Sequence, residues 1–159
     1  MNVVPYRRQA ALQYAERWAL SRNPAYADFS GMGGDCTNFL SQCLFAGSGV
    51  MNWEPVFGWY YRSLSDRAPA WTGVDELFRF LTQNTGAGPF GERCAPESLM
   101  PGDLIQLEQR NRGYYHSLLV IRSGRNPLVA AHDFDVWMRP LMEYGFWGMR
   151  CIHIRGVRR

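Results

Sequence analysis

In the first hundred residues apolar positions recur at helical spacing, and beyond them they alternate in short runs. Ala11, Tyr14, Ala15, Trp18 and Ala19 form one stripe at intervals of three and four, which predicts a helix over about 5–20. Pro5 suits the first turn of that helix, and Asn23-Pro24 ends it. Phe39, Leu40, Cys43 and Leu44 share the face of Cys36, which predicts a second helix over 36–46, closed by Gly47 and Gly49. From 51 to 71 Trp and Tyr are frequent and periodicity is poor, so the segment reads as an ordered loop with one helical turn at Trp59-Tyr60-Tyr61. A third helix carries Val74, Leu77, Phe78 and Leu81, with Thr72 as N-cap and Asp75 as its capping-box partner. The glycines and proline between Thr85 and Pro89 break it. After the Pro101-Gly102 turn, strands read at 103–108, 114–121, 128–132, 136–139 and 148–154. Helices followed by consecutive short strands argue an α+β fold, N-terminal helices packed on an antiparallel sheet.

Length and composition fix the scale of this arrangement. A chain of 159 residues with 47% hydrophobic content fills one core without staples. The expected organisation is one domain over 1–159, its helical part about 5–99 and its sheet part about 100–159. A formal charge of +3, on scattered basic residues, is too weak a field to argue for nucleic acid. The opening MNVVPYRRQ lacks an apolar signal core and no run of 18 apolar residues occurs, so no membrane insertion is expected. The cysteines at 36, 43, 94 and 151 show no CxxC spacing and no close Cys/His pair of the structural-zinc type. Cys36 and Cys43 stand two turns apart on one helix, about 10 Å of rise, too far to bridge. Free thiols are expected, with no metal and no cofactor.

Candidate chemistry concentrates in Gly33-Gly34-Asp35-Cys36-Thr37-Asn38. A cysteine at a helix start faces unpaired N–H groups and the positive end of the helix dipole, which favour a thiolate and supply donors for an oxyanion. The two glycines let the chain pass close to a substrate backbone. The competing reading makes Cys36 one more buried cysteine on an apolar stripe. A nucleophilic thiol needs a base, and His116 lies near the beginning of one predicted strand while His132 ends the next. If those strands are antiparallel neighbours, both histidines meet at one sheet edge, giving a base and its orienter. Asp135 follows where the chain turns, and either supports the pair or competes for the third role. His153 has no partner in view and reads as structural. No G-x-S-x-G elbow or phosphate-binding G-x-x-x-x-G-K-[ST] is present, and no carboxylate pair suggests a glycosidase.

These segments resemble the bacterial amidase domain of the papain-like, NlpC/P60-related cysteine hydrolases. The resemblance runs in order through Tyr14 to Trp18, Asn23 to Tyr26, Gly33 to Gln42, Gly58 to Tyr60, Trp71 to Val74 and Leu99 to Asp103. It continues through His116-Ser117 and His132 to Pro140. It implies a papain-like fold and a cysteine amidase or peptidase acting on a peptide or peptidoglycan-derived substrate. Cys36 would be the nucleophile and His116 the base, with His132 or Asp135 as third member. No papain-type glutamine precedes the cysteine; Ser30 stands in that neighbourhood. Gly33, Gly34, Asp35, Asn38, Trp53, Trp59, Tyr60 and Trp137 are expected to line the substrate groove, although the aromatics also suit a core. A piece of a longer protein of this kind would be secreted or wall-associated; a chain standing alone would be cytoplasmic. Two other readings stay open: a wall-peptide or protein-binding module that needs no reactive thiol, and an acyltransferase or deamidase using the same Cys-His pair.

Overall fold

A computed structural model describes residues 1–159. Its helices are α1 (Arg8–Trp18), α2 (Cys36–Ser48), α3 (Pro69–Thr72) and α4 (Val74–Gln83). Its strands are β1 (Val3–Val4), β2 (Tyr61–Ser63), β3 (Asp66–Arg67), β4 (Gly88–Cys94), β5 (Leu104–Gln109), β6 (Gly113–Arg122), β7 (Leu128–Ala131), β8 (Val136–Pro140) and β9 (Gly148–Arg158). All pairings are antiparallel, and the N-terminal helices pack on the main sheet, so the fold is α+β.

Within the main sheet β4 pairs with β9, and β5, β6, β7 and β8 follow in that order. The other edge of β9 is shared: its first half pairs with β5, and its last two residues pair with β1. Alternation along the strands sorts the side chains into two cores. Leu104, Leu119, Ala130, Ile152 and Ile154 meet the helices, where Trp59, Trp71, Phe39 and Phe80 fill the space between. Ile105, Leu107, Leu118, Val120, Val129 and Ala131 face the other way, under Leu99 and Leu141.

The sheet draws on more of the chain than residues 100–159. Strands β1 and β4 both precede residue 100. Gly88, Pro89 and Gly91 give β4 the look of a loop in sequence; the structure tolerates Pro89 there because β4 is an edge strand. The aromatic segment before α4 is also more ordered than expected, with Asn52 bridged to Trp59, the β2–β3 hairpin and α3. Thr72 ends α3 instead of capping α4, and its hydroxyl accepts from the Arg67 Nε–H at 3.1 Å. The second helix begins at Cys36, as its stripe predicts, and stops at Gly49 with φ +64°.

Asp103 ties α1 to the sheet. Fully buried, its carboxylate accepts from Arg8 of α1 at 2.8 Å, from the Met100 and Ile154 N–H groups at 2.9 Å, and pairs with His153 Nδ1 at 2.8 Å. His153 is therefore structural, and Asp103 is the partner its sequence context hides.

Candidate active site

Three pieces of backbone converge at the start of β6: the first turn of α2, the residues His116-Ser117, and the turn 132–135 between β7 and β8. The register explains the space between them. Leu119 pairs with Ala130 and Val120 with Val129, so β7 stops opposite Leu118. The Val120 N–H points to β5, where Asp103 accepts it at 2.8 Å. By alternation the Ser117 N–H points the other way, into the gap where β7 has ended. The first turn of α2 is joined to β6 beside that gap by the hydrogen bond between the Thr37 and Ser117 hydroxyls, at 2.9 Å. The Cys36 sulfur lies 3.8 Å from Thr37 Oγ1.

Burial decides the ionisation of the two central groups. Cys36 is 6% exposed, and burial raises its thiol above the ordinary value. The Ser117 N–H and the Thr37 hydroxyl and N–H oppose that rise; the Asp133 carboxylate adds to it. His116 is 7% exposed, and burial pushes it down to about 4; Asp133 raises it and Arg139 lowers it further. At neutral pH the resting site therefore holds a neutral thiol and a neutral imidazole, which corrects the expectation of a thiolate from helix position alone. No hydrogen bond joins Cys36 to His116, and the His116 ring has no hydrogen-bond partner.

Asp133 is the residue that sequence reasoning missed. Both of its carboxylate oxygens accept the Asp35 N–H at 3.0 Å, at the N-terminus of α2. Its charge reaches both Cys36 and His116. The register carries the signal: continuing the β6–β7 pairing sets residue 133 opposite His116. Asp133 and Phe134 have φ of +66° and +60°, the left-handed pair of a tight hairpin turn in which Asn-Gly is preferred. Gly34, with φ +116°, passes directly under this turn. A Cβ there would stand 2.5 Å from Asp133 Oδ2, so the glycine makes room for Asp133 itself.

His132 lies elsewhere than expected. Its Nδ1 is 2.5 Å from Asp35 Oδ2, its Nε2 is 2.9 Å from the Trp18 carbonyl, and its ring stacks on Phe39 at 4.1 Å. Along β6 and β7 it falls on the helix face of the sheet, whereas His116 falls on the other, so adjacent strand ends do not bring the two rings together. Asp35 also accepts from the Phe29 N–H and from Asn38 Nδ2, both at 2.8 Å, and is completely buried. Asp135 accepts from Arg22 Nη1 at 2.8 Å and Nη2 at 3.1 Å. Ser30 donates to Asp28 at 2.5 Å and accepts from Arg22 at 3.1 Å, so no side-chain donor is free there for an oxyanion.

The remaining groove candidates separate in the same way. Gly33 borders both cavities beside the site, one of about 330 Å³ containing His116 and one of about 500 Å³ containing Arg22. Gly34 borders the second. Asn38 is buried, holding the Trp71 indole N–H at 3.0 Å, and Trp59 is a core residue bonded to Ser41. Trp53 and Tyr60 stack on each other at 5.0 Å with Arg62 against them, and Trp137 packs on the helical core. None of these five residues lines either cavity. No group of three or more His, Cys, Asp or Glu side chains has metal-site geometry. No helix is long and apolar enough to cross a membrane.

The chain is thus an α+β fold with a buried cysteine at the first residue of α2 and a buried histidine on β6. A family model described as "Putative amidase domain" matches residues 5–155, and the chain belongs to that family. It is 39% identical over 140 residues to the uncharacterized protein YhbB of Bacillus subtilis (strain 168), covering 84% of this chain and 43% of that relative. The chain thus spans less than half the length of this relative. No solved structure matches it. Family membership is consistent with a hydrolytic function.

Proposed function

We propose that this chain is a cysteine amide hydrolase of papain-like, NlpC/P60-related type, acting on peptides of the bacterial cell wall. The observation that carries the reading is the position of Cys36. It is the first residue of α2, and its neighbour Thr37 bonds at 2.9 Å to Ser117, the residue after His116 on β6. Because thiol and imidazole rest neutral, proton transfer accompanies attack. His116 takes the Cys36 proton as the sulfur bonds to the amide carbon, and the carbonyl electrons move to oxygen. The Cys36 N–H, which has no acceptor within its helix, and the neighbouring Ser117 N–H are the donors for that oxyanion. Collapse expels the amine, protonated by His116, and leaves a thioester. His116 then deprotonates a water that releases the acid and restores the thiol. In this reading substrate binding brings the His116 ring within hydrogen-bond reach of the sulfur, as catalytic hydrogen bonds often form fully only in the complex.

Asp133 takes the third place in this reading. It stabilises the imidazolium that forms on His116, and through the Asp35 N–H it fixes the glycine loop before the nucleophile. His132, held by Asp35, keeps the helix start in place. Incubation of the protein with purified wall fragments, followed by mass analysis, tests the proposal. Wild type should release peptides, and quenched reactions should show an acyl adduct on the Cys36 peptide. Cys36→Ala and His116→Ala should release none. Turnover by Cys36→Ala would overturn the assignment.

A further inference from the structure

The cavity beside His116 is basic. Arg112, from the β5–β6 turn, and Arg139, from β8, border it with Tyr115, Tyr144 and the exposed ring of Phe134. Arg112 makes one side-chain hydrogen bond, to the Gln109 amide oxygen at 3.2 Å, and no carboxylate lies within ion-pair distance of it. Arg139 lies over the Tyr144 ring at 4.2 Å, and its one carboxylate neighbour, Glu143 at 3.5 Å, is 60% exposed. The acid inside the cavity, Asp133, is held by the Asp35 N–H. The cavity across the Phe134 turn differs, because its Arg22 is taken up by Asp135 and lies near Asp28 and Asp35. Of the two clefts, only the one at His116 has cationic side chains without buried anionic partners.

We infer that the His116 cavity is a subsite for a carboxylate on the leaving-amine half of the substrate, gripped by Arg112 and Arg139. This rests on the hydrolase reading in one respect, the direction of the substrate. The group that protonates the leaving nitrogen must touch it, so the fragment bonded to that nitrogen occupies the side where His116 stands. A volume of about 330 Å³ sits at the small end of ligand pockets, suited to a short fragment and not to a long chain. Guanidinium groups bind carboxylates through paired N–H donors, and the tyrosine rings give the fragment's apolar stem a surface. The substrate class is then a peptide whose leaving residue carries a free carboxylate, at its end or on its side chain.

The test uses binding to Cys36→Ala protein, so that no turnover is required. Acetyl-alanyl-alanine and its C-terminal amide are titrated at low salt while the ring signals of His116 are followed by NMR. The acid should bind at least fivefold more tightly than the amide. Arg112→Gln, on an exposed turn where folding is not at stake, should abolish that preference. Arg139→Gln should do the same, and Arg139→Lys should restore part of it. Equal affinity for acid and amide, no binding of either, or a preference that survives both Arg→Gln changes would overturn the subsite. Wall-fragment hydrolysis by wild type is scored separately. Its failure alongside a retained acid preference removes the hydrolase reading and leaves the carboxylate site. Hydrolysis with no acid preference removes only the subsite.

Discussion

The chemistry of Cys36 is set by groups one residue either way from those the sequence advertises. Burial and Asp133 raise the thiol, while the Ser117 N–H lowers it. Asp133→Asn removes the charge and keeps an oxygen for the Asp35 N–H. Iodoacetamide labelling of Cys36 at pH 8 should therefore run several-fold faster in that variant, while hydrolysis slows because His116 loses its anionic support. Peptide mapping of the labelled protein checks the first part. His116 sets a pH limit of its own. Its native value of about 4 lies below the ordinary 6.5, so between these values the unfolded chain binds the extra proton and the native state does not. Stability from this group is complete above pH 6.5 and is lost as pH falls toward 4, a change on the order of 3 kcal/mol. Urea melts across that range should flatten by this amount in His116→Gln. The acid limb of activity should fall near pH 4, well below the value for a free imidazole.

At the scale of elements, the helix start and the β7–β8 turn are one unit. The Asp35 carboxylate joins the glycine loop through Phe29, the helix through Asn38 and the turn through His132. His132→Ala leaves a buried carboxylate short of a partner and opens space beside Phe39. The expected cost is about 3 kcal/mol of stability, with less than a tenfold loss of rate per folded molecule. Denaturation midpoints and active-site titration separate the two effects. A catalytic orienter would show the opposite balance. The turn holds stored strain as well. Phe134 is 93% exposed at φ +60°, so its ring contributes little packing to offset a conformation that disfavours side chains. Phe134→Gly should raise stability by ~0.5–1 kcal/mol in thermal melts. A loss of stability instead would mean that the ring has contacts in solution.

For the whole molecule, the question is what holds the helices that carry Cys36 on the sheet that carries His116. Apolar packing supplies area, and the buried Asp103 supplies register by joining Arg8, Met100, His153 and Ile154. Asp103→Ala should cost about 3–5 kcal/mol, because Arg8 and the two N–H groups lose their acceptor in a dry site. Chemical denaturation should show one lowered transition. A folded protein of unchanged midpoint would place the docking energy elsewhere.

Sequence by itself determined the α+β class, the start of α2 at Cys36 and its end to within two residues, the strands β5 to β9 to within a few residues, and Cys36 and His116 as candidates. These follow from local rules: helical and alternating periodicity, glycine at positive φ, and a thiol beside free N–H groups. Only the tertiary structure decided the rest. Strand β4 exists because β9 offers an edge that accepts Pro89, which no window of sequence reports. His132 and Asp133 are neighbours in the chain, yet one turns to the helix face and the other to the cleft. A single step along a strand reverses the face, and only the register against β6 says which residue stands opposite His116. Ionisation was decided at the same level. A helix N-terminus favours a thiolate, but burial of Cys36 beside Asp133 outweighs it, and burial belongs to the packed molecule.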